Sequence, residues 1–170
     1  YKRQIIANGE KVKYVHSIKQ PNDTTLWVST VGEGIVKVIF DASTATPTVK
    51  SASRTVIDNG RMASNYFFTS YQENDSILWF GNRGCGAYRM NVETGEMIPH
   101  RFDSIVSSQT ANDIFAIYKN AKGYWLGTSS GLLHLEQDDS LYTKADLFLN
   151  NTVHGVLEDH QGDLWSVSYT

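Results

Sequence analysis

The chain has 170 residues, 41% of them hydrophobic, which is enough to bury a sizeable core within one domain. Its 15 basic and 18 acidic residues leave a net charge of -3 with no cluster of lysine or arginine, which excludes a nucleic-acid role resting on a basic stripe. No apolar run approaches the roughly 20 residues of a membrane span, and the single cysteine, Cys85, excludes an internal disulfide.

The opening Tyr1-Lys2-Arg3-Gln4-Ile5-Ile6 lacks a signal-peptide core and an initiator methionine, a start compatible with a removed targeting segment. Together with Asn8-Gly9 it reads as the outer strand of a preceding unit, over residues 1–10. From residue 11 one pattern recurs. In the first copy, residues 11–58, the alternating segment Tyr14-Val15-His16-Ser17-Ile18-Lys19 is followed by the polar turn Gln20-Pro21-Asn22-Asp23-Thr24 and the strand Leu26-Trp27-Val28-Ser29-Thr30. The turn Val31-Gly32-Glu33 leads to a third strand, Gly34-Ile35-Val36-Lys37-Val38-Ile39-Phe40, and a more polar fourth, Thr48-Val49-Lys50-Ser51-Ala52.

The second copy, residues 62–105, runs through Tyr66-Phe67-Phe68-Thr69-Ser70-Tyr71, Leu78-Trp79-Phe80-Gly81-Asn82 and Gly86-Ala87-Tyr88-Arg89-Met90-Asn91-Val92 to Met97-Ile98-Pro99-His100-Arg101-Phe102. The third, 111–148, runs through Ile114-Phe115-Ala116-Ile117-Tyr118-Lys119, Tyr124-Trp125-Leu126-Gly127-Thr128 and Gly131-Leu132-Leu133-His134-Leu135 to Ser140-Leu141-Tyr142-Thr143-Lys144. The fourth, 150–170, supplies only Val153-His154-Gly155-Val156-Leu157-Glu158 and Leu164-Trp165-Ser166-Val167-Ser168. β-Branched and aromatic residues fill the strands, and Asn, Asp and Gly fill the turns.

All four tryptophans fall in the second strand of a copy, 52, 46 and 40 residues apart, the span of a unit of four short strands. Hydrophobicity falls from the first strand to the fourth, as in a blade with a buried inner and an exposed outer edge. Pro99 fits that outer edge, where a missing N–H costs no ladder bond. No stretch has convincing helical periodicity; residues 141–149 could be read as helix, but their polar and β-capable content makes strand the better reading. The fold class is therefore all-β, a propeller of tandem four-stranded antiparallel blades, with about three and a half to four blades present. The repeated tryptophan is expected to pack between neighbouring blades. A closed propeller usually has four to eight blades, so the chain reads as part of a larger ring; a four-bladed ring closed by the N-terminal strand would lack one strand.

The run Asp159-His160-Gln161-Gly162-Asp163-Leu164-Trp165 and the phrase Trp125-Leu126-Gly127-Thr128-Ser129-Ser130-Gly131-Leu132 resemble the two-component regulator propeller repeat, D-x-x-G-x-(Leu/Ile)-W-(Leu/Ile/Val)-G-T-x-x-G-Leu. The third copy matches best; Trp27-Val28-Ser29-Thr30 and Trp79-Phe80-Gly81-Asn82 are looser, and Trp165-Ser166-Val167-Ser168 lacks the Gly-Thr. The resemblance covers essentially the whole chain. It implies the periplasmic sensor region of a hybrid histidine-kinase regulator of Bacteroidetes, an inner-membrane protein that detects oligosaccharides and controls glycan-utilisation genes. No kinase or receiver segment is present in these residues.

In a propeller, the loops entering the first strand and those joining the second strand to the third share one face around the channel, where ligands bind to loops held by a rigid scaffold. Here those loops are 59–65, 107–112, 149–152 and the turns Val31-Gly32-Glu33, Asn82-Arg83-Gly84-Cys85 and Ser129-Ser130. Glu33, Asn65, Asn82, Arg83, Asn112, Ser129 and Asn151 are the candidate ligand-binding residues. The recurring Asn65, Asn112 and Asn151 also suit turn capping, and Arg83 offers a planar fork of donors, as well as being a residue that simple solvation would explain.

Catalytic patterns are weak. His154, Glu158 and His160 straddle a turn and lack the H-E-x-x-H arrangement of a zinc helix. Asp138-Asp139 and Glu158-Asp159 sit where acids are ordinary turn formers. No G-x-S-x-G nucleophile and no phosphate-cradling glycine loop occurs. Cys85, between Gly84 and Gly86, is expected to be accessible but has no paired histidine nearby in sequence. The reading is a non-catalytic sensor without cofactor or metal. Its partners are an oligosaccharide or other polar small ligand, further blades or domains of the same protein and, if signalling works through dimerisation, a second copy. Two others remain open: a propeller scaffold for protein interactions, and a propeller lyase or glycosidase with catalytic residues elsewhere.

Overall fold

The strands of this chain end on side chains that bend the backbone. Asn22, Asn74, Asn120 and Asp159 stand at the close of the first strand in their copies. The side-chain oxygen of each accepts the amide hydrogen two residues on, at 3.1, 2.9, 3.0 and 2.9 Å. Asp41 and Asn91 do the same at the end of the third strand, both at 2.9 Å. Such local bonds offer the backbone a tight reversal in place of helix, so the chain folds as successive hairpins.

A computed structural model describes residues 4–43, 46–56, 64–102, 109–138, 141–148 and 151–168; of 109, 137–138 and 141–148 it describes the backbone only. Strands β1 (Ile6–Ala7) and β2 (Glu10–Lys11) pair with each other. Three antiparallel four-stranded meanders follow. The first comprises β3 (Val15–Asn22), β4 (Thr25–Thr30), β5 (Ile35–Asp41) and β6 (Thr48–Thr55). The second comprises β7 (Phe67–Asn74), β8 (Ile77–Asn82), β9 (Ala87–Asn91) and β10 (Met97–His100). The third comprises β11 (Ile114–Asn120), β12 (Gly123–Thr128), β13 (Gly131–Asp138) and β14 (Leu141–Phe148). A last pair, β15 (Val153–Glu158) and β16 (Leu164–Ser168), repeats the first hairpin of a blade. A 3-10 turn at Gln109–Asn112 leads into β11.

The chain is thus a β-propeller of successive blades, as the repeat implies. β3, β7, β11 and β15 pack against one another in that order, which makes them the innermost strands. Pro99 lies in β10, the edge strand of its sheet, and residues 141–148 form strand, not helix. The N-terminal segment, beyond the undescribed residues 1–3, pairs β1 with β2 and lies against β6. Ala7 joins Val28, Val36 and Val38 in a core cluster, with Ile5 and Val12 packed beside it.

The tryptophans fill the gaps between blades. Trp27 is 4% exposed and clusters with Phe67, Leu78 and Phe80 of the second blade; Trp79 is 3% exposed and clusters with Tyr124 and Leu126 of the third. Trp125 is half-buried and stacks on His134 of its own blade at 4.0 Å and 13°. Trp165 is 59% exposed. Three of the four indoles donate to the turn five or six residues back: Trp79 to Glu73 at 2.7 Å, Trp125 to Asn120 at 3.1 Å and Trp165 to Asp159 at 2.7 Å. Trp27 has Pro21 at the corresponding place, and its buried Nε1 has no hydrogen-bond partner.

The glycine that follows two of these tryptophans is a packing residue. A Cβ on Gly127 would stand 2.6 Å from the carbonyl oxygen of Val153, and one on Gly81 2.7 Å from that of Ile114. In both cases the first strand of the next blade passes directly over it, so a methyl group would push the blades apart. Cys85 departs from expectation. Its side chain is 6% exposed, in one cluster with Phe67, Phe80 and Tyr88, because Gly84 and Gly86 on either side take φ of +79° and +80° and turn the segment inward.

Candidate functional site

All four innermost strands begin with the same irregularity. The register with the neighbouring strand shifts between Val15 and Ser17, Phe67 and Thr69, Ile114 and Ala116, and Val153 and Gly155. A bulge leaves one residue unpaired and re-aims its side chain. Here those residues are His16, Phe68, Phe115 and His154. Their rings touch in series across the blades: His16 to Phe68 with centroids 5.7 Å apart, Phe68 to Phe115 at 4.9 Å, and Phe115 to His154 at 4.7 Å. The residues immediately before the last three, Phe67, Ile114 and Val153, are fully buried. The bulge therefore sends one side chain into the blade core and the next onto the inner surface. His16 and His154 are exposed, and both phenylalanines are half-buried.

This row lies at the end of the strands where the candidate loops converge. Tyr66, 42% exposed, bridges to Val31 and places its ring 5.9 Å from the Arg83 guanidinium. Arg83 is exposed, and its amide donates to the Tyr66 carbonyl at 3.0 Å. Tyr14, just before β3, is 70% exposed with φ of +52°, a backbone region that bulky residues rarely occupy.

The other candidates hold the loops together. Asn82 is fully buried and its Nδ2 donates to the Ser64 carbonyl at 2.7 Å. Asn112 is fully buried, its Oδ1 accepting the Phe102 amide at 2.8 Å while its carbonyl accepts the Gly86 amide at 2.8 Å. The Asn65 carbonyl accepts the amides of Gly32 and Gly34 at 2.9 and 3.1 Å, joining the first two blades. Glu33 pairs with Arg54 at 3.2 Å and accepts the Lys13 amide at 3.2 Å. Ser129 donates to Asp113 at 3.0 Å, and its carbonyl accepts Thr152 Oγ1 at 3.4 Å. Asn151 is exposed. Of the candidate loops, residues 59–63, 107–108 and 149–150 lie outside the described residues, as does Asp139.

The aromatic row escapes a reading that seeks polar loop residues. Its signal was the second residue of each first strand, His, Phe, Phe and His in turn. His154 instead suggests a metal with Glu158 and His160, but its ring packs on Phe115 while Glu158 accepts Asn120 Nδ2. Among the described residues no group of three or more His, Cys, Asp or Glu is placed to hold a metal ion.

The opposite end carries a charged knot between the second and third blades. Glu73, its side chain 13% exposed, accepts from Trp79 Nε1 at 2.7 Å and from Lys119 Nζ at 2.8 Å, with Arg89 Nε 3.7 Å away. Burial alone would raise its pKa, but the bonds from Lys119, Trp79 and Tyr124 outweigh it and hold the carboxyl below its ordinary value. The same burial, with the adjacent Glu73, pushes the Tyr124 hydroxyl well up. An open, polar hollow of about 330 Å³ beside this knot is lined by Lys119, Asn120, Lys122 and Glu136. Lys119 is already engaged by Glu73 and Tyr124, at 2.8 and 3.0 Å. The knot ties blade to blade.

No protein-family profile matches the chain. Over 135 residues it is 33% identical to Histidine kinase P4 of Formosa agariphila, an alignment covering 75% of this chain and 10% of that protein. The chain thus spans about a tenth of the length of the curated relative it matches. Among solved structures it superposes on the extracellular domain of the hybrid two-component system BT4673 of B. thetaiotaomicron with a TM-score of 0.69 at 17% identity, covering 94% of this chain and 20% of that one. The WD40 β-propeller domain of Doa1 gives 0.64 at 9% identity, covering 97% and 53%. No helix among the described residues is long and apolar enough to cross a membrane. The repeat, the blades and these likenesses agree: the chain is a β-propeller segment similar in sequence to a histidine kinase and in fold to the extracellular domain of a hybrid two-component system.

Proposed function

We propose that this chain is part of the extracytoplasmic sensor propeller of a hybrid two-component regulator, lying in the periplasm of an inner-membrane protein. It is non-catalytic, takes an oligosaccharide at the loop end of the propeller axis, and passes the binding event to a kinase that controls glycan-utilisation genes. The observation that carries the reading is the 33% identity to a histidine kinase in a chain whose fold is that of an extracellular two-component domain. In this reading Arg83 and Asn151, both exposed, contact ligand. Asn65, Asn82, Asn112, Ser129 and Glu33 fix the loops that present them, a rigid frame that lowers the ordering cost of binding.

The test is calorimetric titration of the full-length protein against a panel of oligosaccharides, with kinase autophosphorylation followed in parallel. Saturable binding of a sugar that changes autophosphorylation is expected. A panel without any binder contradicts the sugar-sensor reading, and a ligand that binds without altering autophosphorylation contradicts the signalling part of it.

A further inference from the structure

The row of rings on the innermost strands runs from blade to blade, apart from the tryptophans that fill the gaps between blades, and its chemistry is specific. Two phenylalanines in mutual contact form a continuous apolar strip, half-buried where the preceding residues are wholly buried. An exposed imidazole adjoins each phenylalanine on its other side. Each ring stands at a bulge, repeated at the same position in four consecutive blades. Bulges recur where a strand must re-aim a side chain. A strip of this kind fits a ligand with flat apolar faces and hydrogen-bonding edges. Aromatic faces supply contact at low entropy cost, and imidazole both donates and accepts. Among the described residues the surrounding rim carries the Arg83 guanidinium against the ring of Tyr66 and that of Arg101, which donates to the Gly84 carbonyl at 3.3 Å.

We propose that His16, Phe68, Phe115 and His154 form a stacking platform for the sugar rings of an oligosaccharide. Phe68 and Phe115 lie under the C–H faces, and His16 and His154, on either side of them, hydrogen-bond hydroxyl groups. The proposal rests on the sensor reading above and adds to it the residues that meet the ligand.

The experiment titrates the full-length protein, wild type and the variants Phe68→Leu and Phe115→Leu, with an oligosaccharide panel by calorimetry. Leucine keeps an apolar filling and removes the aromatic face. Each variant should weaken binding about tenfold, equivalent to about 1.4 kcal/mol, with its melting profile unchanged. Equal affinity in wild type and both variants overturns the platform while leaving the sensor reading standing. A second readout covers a variant that melts early: the imidazole C–H resonances of His16 and His154 in the wild-type protein, assigned through His16→Gln and His154→Gln. Both should shift as the sugar saturates. Unmoved resonances at saturation also overturn the platform alone. If nothing in the panel binds, the sensor reading fails together with the platform.

Discussion

Replacing Glu73 by glutamine isolates the knot that ties the second blade to the third. The wild-type carboxylate accepts from the Trp79 indole at 2.7 Å and the Lys119 ammonium at 2.8 Å, so both oxygens face donors. Glutamine keeps the shape but turns one oxygen into an NH₂ group, which must then face a donor, and it removes the charge opposite Lys119. The knot is not fully dry, because the Lys119 side chain is 29% exposed. The cost therefore falls below the 3–5 kcal/mol of a broken buried ion pair and near the roughly 1.5–3 kcal/mol of a hydrogen bond to a charged group. The effect depends on pH. The folded protein holds the Glu73 carboxyl below its ordinary 4.5, so the ionised form is the one the fold favours. That contribution is complete above pH 4.5 and disappears as pH falls through the lower folded value. Denaturant unfolding of the full-length protein and of Glu73→Gln should therefore differ by about 2 kcal/mol at neutral pH, with the gap closing as the solution is made acidic. His100, half-buried and held below its ordinary value by burial and the Arg89 charge, also destabilises the fold in acid. A gap that stays constant with pH, or a more stable variant, would refute the reasoning.

Other expectations follow from the same contacts. Trp79→Phe should cost about 1–2 kcal/mol more than Trp27→Phe in thermal unfolding, since only Trp79 donates to a partner that would be left behind. Gly127→Ala should lose about 1–3 kcal/mol, because its methyl group meets the Val153 carbonyl; an unchanged melting temperature would mean that the blades can part without cost. Asn112→Ala should lose about 1–3 kcal/mol, leaving the buried Phe102 amide without its acceptor. Cys85 should resist a thiol reagent in native buffer and react on unfolding; rapid native labelling would contradict its burial.

Most of the fold was legible because each blade repeats its own instructions. The tryptophan marks the second strand, Asn or Asp closes the hairpin before it, and the glycine after Trp79 and Trp125 leaves room for the next blade. Even an exception has a cause in sequence: Pro21 stands where Glu73 or Asp159 accepts an indole proton, and Trp27 accordingly has no acceptor. The pairing of β1 with β2 was not legible, because a short strand is placed by what it packs on, here the valines of the first blade. Nor was the burial of Cys85, which depends on two left-handed glycines acting together.

The candidate site was legible by position and less so by residue. Loop sequence identifies which turns share an end of the propeller, but Asn82 and Asn112 look the same in sequence whether they face a ligand or cap a neighbouring strand; both are buried. The aromatic row depends on bulges, which change where a side chain points without changing which residue it is. Only the recurrence of a ring at the second position of four strands betrays it.

The sensor reading is tested most directly by hydrogen–deuterium exchange of the full-length protein with and without a bound oligosaccharide. The sugar should slow exchange in the segments around Tyr14–His16, Tyr66–Phe68, Asn82–Gly86 and Thr152–His154, and leave the hairpin turns at Asn22, Asn74, Asn120 and Asp159 unchanged. Protection confined to those hairpin turns, or absent from this propeller while the sugar is bound, would contradict it.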